Sequence, residues 1–143
     1  MAKKVARILA PLDGSKNSLK ALDLAIYLAR QFRGTVTGLF VLPFYLPPTG
    51  PRVFGPYRKE MASSMRKFLT AAKVMSAKNG IAFTGKIIDG DVISDDVADF
   101  AKKGRFDLIV ISSHGKGQVG RWLLGSVTYS VLHKSKVPVL VVK

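Results

Sequence analysis

Two short stretches of this chain carry residue types that can hold an anion. One is Pro11-Leu12-Asp13-Gly14-Ser15, and the other runs from Ser112 to Ser126 and contains four glycines. Glycine lets backbone N–H groups approach phosphate oxygens closely, and Gly125-Ser126 stands where the N-terminus of a helix would add partial positive charge. No acidic residue follows Asp107 in the sequence. The second stretch therefore predicts an anion cradle, with purely structural turn glycines as the alternative.

Two better-known phosphate motifs do not fit this glycine-rich stretch. Residues 115–120 match the spacing Gly-x-Gly-x-x-Gly of a dinucleotide-binding loop. That fingerprint needs an acidic residue about 20 positions later and follows the first strand of its domain, and neither condition is met here. A Walker A loop is excluded because Arg121-Trp122 stands where that motif requires Lys followed by Ser or Thr.

The side chains near these stretches do not form a catalytic or metal constellation. The chain has no cysteine, which excludes disulfides, thiol nucleophiles and zinc–thiolate or iron–sulfur sites. His114 has no acidic neighbour in sequence to orient it, so we interpret it as a loop residue and not as a general base. Asp13 is the only carboxylate near the two stretches, which is too few for a metal site built from protein groups alone. We predict no catalytic residue.

Size and composition indicate one globular domain spanning residues 1–143. Apolar residues make up 48% of the 143 residues, and no apolar run is long enough to cross a membrane or to form the core of a signal peptide. We therefore expect a cytoplasmic protein. The formal net charge is +14, with the basic residues spread along the chain. Solvated helix faces explain this distribution, and binding to nucleic acid is the less favoured alternative.

Short apolar runs alternate with helical periodicity, which is typical of a parallel α/β sheet. Ligands bind such sheets at the carboxyl ends of the strands, where both stretches lie. The apolar faces expected in the core are Leu19, Leu22, Ile26 and Ala29 in the first helix and Met61, Met65, Phe68, Ala72 and Met75 in the second. The predicted strands are 4–11, 35–42, 81–88, 107–112 and 137–142, and the predicted helices run from Ser15 to Gly34, 57–78, 92–103 and 126–134, with 43–56 as a proline-rich loop.

The combination of these motifs resembles the universal stress protein family over essentially the whole chain. The residues that carry the resemblance are Ser112-x2-Gly115-x9-Gly125-Ser126, the Pro11 to Ser15 stretch and the final run from Val137 to Val142. The resemblance implies a single-domain, Rossmann-like α/β sandwich of the adenine nucleotide alpha hydrolase type, with a five-stranded parallel sheet in the order 3-2-1-4-5. Many members of the family are dimers that bind ATP.

The resemblance also implies roles for individual residues. Asp13 would hold the ribose, the backbone at Val41 would meet the adenine, and the phosphates would lie among Gly115, Gly125, Ser126 and Val127. Pro11, Leu12, Ser15 and Ser112 complete the expected nucleotide site, and Mg²⁺ can accompany ATP. Each residue also has an ordinary structural role available: Asp13 and Ser126 as turn or helix caps, and Val41 as a core residue.

Ser112 departs from the nucleotide-binding branch of the family, whose motif Gly-x2-Gly-x9-Gly-(Ser/Thr) begins with glycine. Serine is strained at this position if the backbone φ is positive, and its hydroxyl can donate to a phosphate if it is not. The leading hypothesis is an ATP-binding, regulatory stress-response protein. Slow hydrolysis of ATP is compatible with this hypothesis, but we do not predict a dedicated ATPase. The alternative is a nucleotide-free scaffold. In both cases we expect a homodimer through the edge strand 137–142 and a regulated protein partner that the sequence does not identify.

Overall fold

The computed structural model describes residues 4–44, 51–115 and 124–143, with the side chains of 51–55 left out. Five strands form one parallel sheet in the order β3-β2-β1-β4-β5, which confirms the predicted α/β architecture. Along the chain the elements are β1 (Arg7–Pro11), α1 (Lys16–Phe32), β2 (Thr35–Pro43), α2 (Pro51–Lys78), β3 (Phe83–Gly90), α3 (Ile93–Lys103), β4 (Leu108–Ser112), α4 (Ser126–Lys134) and β5 (Val139–Val142).

Helices cover both faces of the sheet, so the inner strands are apolar on both sides. Side chains of a strand alternate between its faces. Ile8 and Ala10 of β1 accordingly pack with α1 and α2, whereas Leu9 packs with α3 and α4. All three are fully buried. This two-sided burial is typical of parallel sheets and accounts for the continuous apolar runs in the sequence.

Helix α1 begins where predicted but buries a different stripe. The Ser15 hydroxyl accepts from the backbone N–H of Ser18 at 3.1 Å and caps the helix. Leu22, Ile26 and Ala29 are buried as predicted. The prediction was wrong for Leu19, whose side chain is 43% exposed, because the buried stripe also includes Ser18, Ala21 and Ala25 and leaves Leu19 just beyond its margin.

Helix α2 begins at Pro51, six residues before the predicted start at 57. The interpretation of 51–56 as loop was wrong, because proline is compatible with the first helical position, where a backbone N–H has no partner in any case. Pro56 lies inside the helix. Residues 45–50 of the expected loop lie outside the described residues. The methionine stripe is confirmed as core, with Met65 and Ala72 buried and Met61, Phe68 and Met75 packed against them.

The start of β4 is tied to the start of β1 by a carboxylate. Asp107 Oδ2 accepts from the backbone N–H groups of Ala6 and Arg7, both at 2.9 Å.

Strand β5 begins two residues later than predicted, because the Ser135 side chain accepts from the N–H of Val137 at 3.0 Å and holds it in a turn. No helix within residues 4–44, 51–115 and 124–143 is long and apolar enough to cross a membrane.

Candidate functional site

A cavity of about 250 Å³ opens where β1, β2 and β4 end. β1 ends at Pro11 and β4 at Ser112, and the segments that follow them lead into the rim of the cavity. The carboxyl ends of the central strands are the usual ligand position in open α/β sheets. Every residue of the sequence-predicted site except Ser15 lines this one cavity: Pro11, Leu12, Asp13, Val41, Ser112, Gly115, Gly125, Ser126 and Val127.

Asp13 contributes both to a turn and to the cavity wall. Its Oδ1 accepts from the backbone N–H of Ser15 at 2.8 Å, which is the turn role that the sequence allowed. Ser15 does not line the cavity, and its side chain caps α1. The carboxylate of Asp13 therefore has a fixed orientation at the cavity rim.

Gly115 packs directly against this carboxylate. A Cβ atom built on Gly115 would lie 2.5 Å from Asp13 Oδ2, a separation that side chains essentially never show. Gly115 does not have a positive φ, since the glycines with that conformation in the described part of the chain are Gly14 and Gly80. Space beside Asp13, and not backbone torsion, favours glycine here, because a side chain at position 115 would have to displace this carboxylate.

The N-terminus of α4 offers the amides that the glycine-rich stretch predicted, with one exception. The N–H of Gly125 donates to the carbonyl of Ser113 at 2.8 Å, so this amide holds the loop. The first helical bond runs from the N–H of Tyr129 to the carbonyl of Gly125, at 2.9 Å. Helix geometry leaves the amides of Ser126, Val127 and Thr128 without an acceptor inside α4, and these are the amides that could bind an anion.

Ser112 occupies the position of the family glycine without backbone strain. It is 94% buried at the end of β4, and the described non-glycine residues with positive φ are Arg33 and Arg105. The Ser112 hydroxyl donates to the carbonyl of His114 at 3.0 Å, which directs its proton into the loop. Of the two possibilities left open by the sequence, strain is therefore excluded.

Thr128 is a site residue that the sequence reasoning missed. Its hydroxyl donates to the carbonyl of Ser112 at 2.7 Å, its side chain is buried, and it lines the cavity. This bond joins the first turn of α4 to the end of β4, which positions the helix N-terminus against the sheet. The sequence contained a signal for this role, because Thr128 is the third residue of the predicted helix 126–134, which begins directly after Gly125.

The inner wall of the cavity is apolar and comes largely from residues that were not predicted. Val41 is buried, so only its backbone can offer polar groups. The wall residues that were not predicted belong to the two hydrophobic clusters or pack against them, and all are buried except Ile93, which is partly buried: Leu39, Phe40, Ile93, Val97 and Ile111. Ile93 and Val97 are four residues apart, so they lie on the same face of α3. The cavity thus has an apolar wall and a polar rim.

His114 packs within the loop, as expected. Its Nδ1 lies 2.9 Å from the Ser113 hydroxyl, while its Nε2 is buried without a hydrogen-bond partner. The rest of the glycine-rich stretch, residues 116–123 with Gly117, Gly120 and the Arg121-Trp122 pair, lies outside the described residues. Where the structure describes the chain, no group of three or more His, Cys, Asp or Glu side chains could hold a metal ion.

Comparisons with known proteins agree on one family. The sequence profile of the universal stress protein family matches residues 4–143. Universal stress protein MJ0531 of Methanocaldococcus jannaschii is 34% identical over 142 residues, which cover 96% of this chain and 81% of that protein.

Solved structures with the same fold include two universal stress proteins. UspA from Lactobacillus plantarum superposes with a TM-score of 0.89 at 23% identity, over 99% of this chain and 100% of that chain. The protein from Archaeoglobus fulgidus in complex with dAMP superposes with a TM-score of 0.73 at 24% identity, over 99% and 100% of the two chains.

Proposed function

The chain belongs to the universal stress protein family, and from this premise we propose that it is a regulatory stress-response protein that binds an adenine nucleotide, ATP, in the cavity at the ends of β1, β2 and β4. Nucleotide binding at this cavity would change the affinity for a protein partner. The observation that carries the proposal is the convergence of three kinds of group on one cavity: an apolar wall, a carboxylate and the N-terminus of α4.

Each of these groups suits one part of an adenine nucleotide. The apolar wall near Val41 can pack against the adenine ring, with backbone groups available to its edge. The Asp13 carboxylate can accept from the ribose hydroxyls. The amides at the start of α4 can donate to phosphate oxygens, assisted by the partial positive charge of the helix N-terminus. The A. fulgidus relative that binds dAMP supports an adenine nucleotide as the ligand class.

Mg²⁺ would enter this site with the nucleotide. Asp13 is the only acidic residue that lines the cavity among the described residues. One carboxylate together with phosphate oxygens and water is a common arrangement for Mg²⁺, which usually keeps several waters and is held through substrate phosphates.

Isothermal titration calorimetry tests the proposal directly. Protein that has been unfolded and refolded to remove bound nucleotide should bind ATP in the presence of Mg²⁺, whereas GTP should bind at least about tenfold more weakly, a difference of about 1.4 kcal/mol. Mass spectrometry of freshly purified protein should detect an adenine nucleotide. Folded protein that binds no adenine nucleotide and co-purifies with none would contradict the proposal and favour the nucleotide-free scaffold.

We propose further that two copies associate through β5. This strand lies at one edge of the sheet, pairs with β4 alone among the described strands and leaves Leu140 37% exposed. Natural proteins rarely leave an apolar edge strand uncovered, and a two-fold axis would pair β5 with itself.

Analytical ultracentrifugation at micromolar concentration should therefore detect a dimer. The N–H of Ile109 donates to Pro138 and that of Ser113 to Val142, so Val141 directs its own N–H away from β4. Val141→Pro removes this outward donor and should shift the protein to monomer. A wild-type monomer, or a Val141→Pro variant that is folded and fully dimeric, would contradict dimerisation through β5.

A further inference from the structure

A second concave surface lies at the opposite edge of the sheet, between α2 and β3, and we call it the edge groove. It has a volume of about 500 Å³ and shares no residue with the cavity at the ends of β1, β2 and β4. Its wall on α2 includes Arg66, Leu69 and Lys73, and its wall on β3 includes Phe83, Gly85 and Ile87.

The helix side of the edge groove is positively charged and uncompensated. Arg66 and Lys73 are two helical turns apart, which places them about 10 Å from each other along the axis of α2. Within the part of the chain that the structure describes, neither has an acidic partner. Arg58, which also lies on α2, does have an acidic partner, because it pairs with Asp89. The edge groove therefore has two cations available for carboxylates from outside the domain.

On the strand side of the edge groove, the outward backbone groups of β3 have no partner strand among the described residues. The N–H of Val36 donates to the carbonyl of Ala82 at 3.1 Å, and that of Phe44 donates to Gly90 at 2.8 Å. Because residues of a parallel strand alternate in the direction of their hydrogen bonds, the even-numbered residues of β3 face β2. Gly85 and Ile87 therefore direct their N–H and C=O groups away from the sheet, at an edge where β3 is the last strand.

The composition of the edge groove favours a peptide over nucleic acid and over a second copy of this chain. Phe83 is 8% exposed and offers no face on which bases could stack. Lys86 is exposed in the middle of β3, so pairing of two β3 edges would bring like charges together. An extended chain needs only the free backbone groups and shallow apolar pockets for alternate side chains.

We propose that the edge groove binds an extended acidic segment of a partner protein, which adds as a strand beside β3 and places its carboxylates against Arg66 and Lys73. The chemistry of recognition is main-chain hydrogen bonding to Gly85 and Ile87, together with charge complementarity on the α2 side. This surface would supply the partner-binding half of a nucleotide-dependent regulator at a place separate from the nucleotide.

The test uses a fluorescein-labelled peptide of about ten residues that alternates Glu and Val, a length that matches one strand. Fluorescence anisotropy at physiological salt should show binding, whereas a peptide that alternates Lys and Val should not bind. The double variant Arg66→Glu/Lys73→Glu should bind the Glu-Val peptide at least about tenfold more weakly. The matched control Lys67→Glu/Lys78→Glu makes the same charge change at exposed α2 positions outside the groove and should keep the affinity within about twofold.

Amide hydrogen exchange distinguishes strand addition from simple charge attraction. Bound peptide should slow exchange at Gly85 and Ile87, while Lys86, whose N–H faces β2, should change little. Equal loss of binding in both double variants, or no protection at Gly85 and Ile87, would overturn the proposal. So would a single-stranded oligonucleotide, or a second copy of the chain, occupying the groove with the same dependence on Arg66 and Lys73. Should the Glu variants fail to fold, Arg66→Gln/Lys73→Gln gives the same comparison.

Discussion

Replacing Gly115 with alanine should weaken the binding of an adenine nucleotide at least about tenfold, which is about 1.4 kcal/mol. The new methyl group would lie 2.5 Å from Asp13 Oδ2, so the carboxylate has to leave its position at the cavity rim. That movement removes the group proposed to hold the ribose and changes the approach to the α4 N-terminus. Calorimetric titration of both proteins with ATP and Mg²⁺ measures the difference.

A double-mutant cycle separates this mechanism from general damage to the loop. If the effect passes through Asp13, Gly115→Ala should cost little further affinity in a protein that already carries Asp13→Ala. Gly80→Ala is the control, since Gly80 has a left-handed conformation with open space around it and lies away from the cavity. It should lower stability and leave ATP affinity unchanged. Fully additive losses from Gly115→Ala and Asp13→Ala would contradict the contact as the cause.

Truncation of Ile109 to alanine should lower the free energy of unfolding by about 2–5 kcal/mol, the range for large buried aliphatic residues. Ile109 is fully buried in β4, and its backbone pairs with Leu9 of β1 on one side and Val139 of β5 on the other. The loss combines buried apolar area with the cavity that remains. Urea denaturation monitored by circular dichroism provides the measurement, and the melting temperature should fall by roughly 10 °C.

Leu19→Ala is the matched control for this truncation. Leu19 is 43% exposed on α1, where alanine also has the higher helix propensity. Its effect should stay within about 0.5 kcal/mol. Comparable losses from the two substitutions would mean that burial in the structure does not determine which leucines and isoleucines stabilise the domain.

Leu19 also illustrates what periodicity could and could not predict about the fold. The pattern identified α1 and most of its buried face, because large apolar residues recur at helical spacing. It missed that Ala21 and Ala25 allow close approach of the helix to the sheet and so move the centre of the stripe away from Leu19. The early start of α2 was missed for a different reason. The high proline content of 43–56 predicted a loop, but Pro51 occupies the first position of the helix, where proline is tolerated.

The polar rim of the site could be predicted because its residues follow the strands they belong to. Asp13 follows β1, and Ser112 and Gly115 are at or just after the end of β4, so topology alone brings them to one end of the sheet. The apolar wall comes mainly from β2 and α3, with Ile111 of β4, and these elements are distant in sequence and show only ordinary core patterning. The bond from the Gly125 amide to the carbonyl of Ser113 joins residues twelve positions apart, and no local sequence pattern predicts it.

Asp107 Oδ2 accepts from the N–H groups of both Ala6 and Arg7, and this shared contact has a consequence at the far end of the sheet. It fixes how far β4 can slide along β1, two strands whose starting points are separated by a hundred residues of chain. Both strands are five residues long, so an offset at their origins would be transmitted over about 16 Å to their tips. The Asp107 contact at one end of the sheet therefore helps to set the relative positions of Pro11 and Ser112, which line the cavity at the other end.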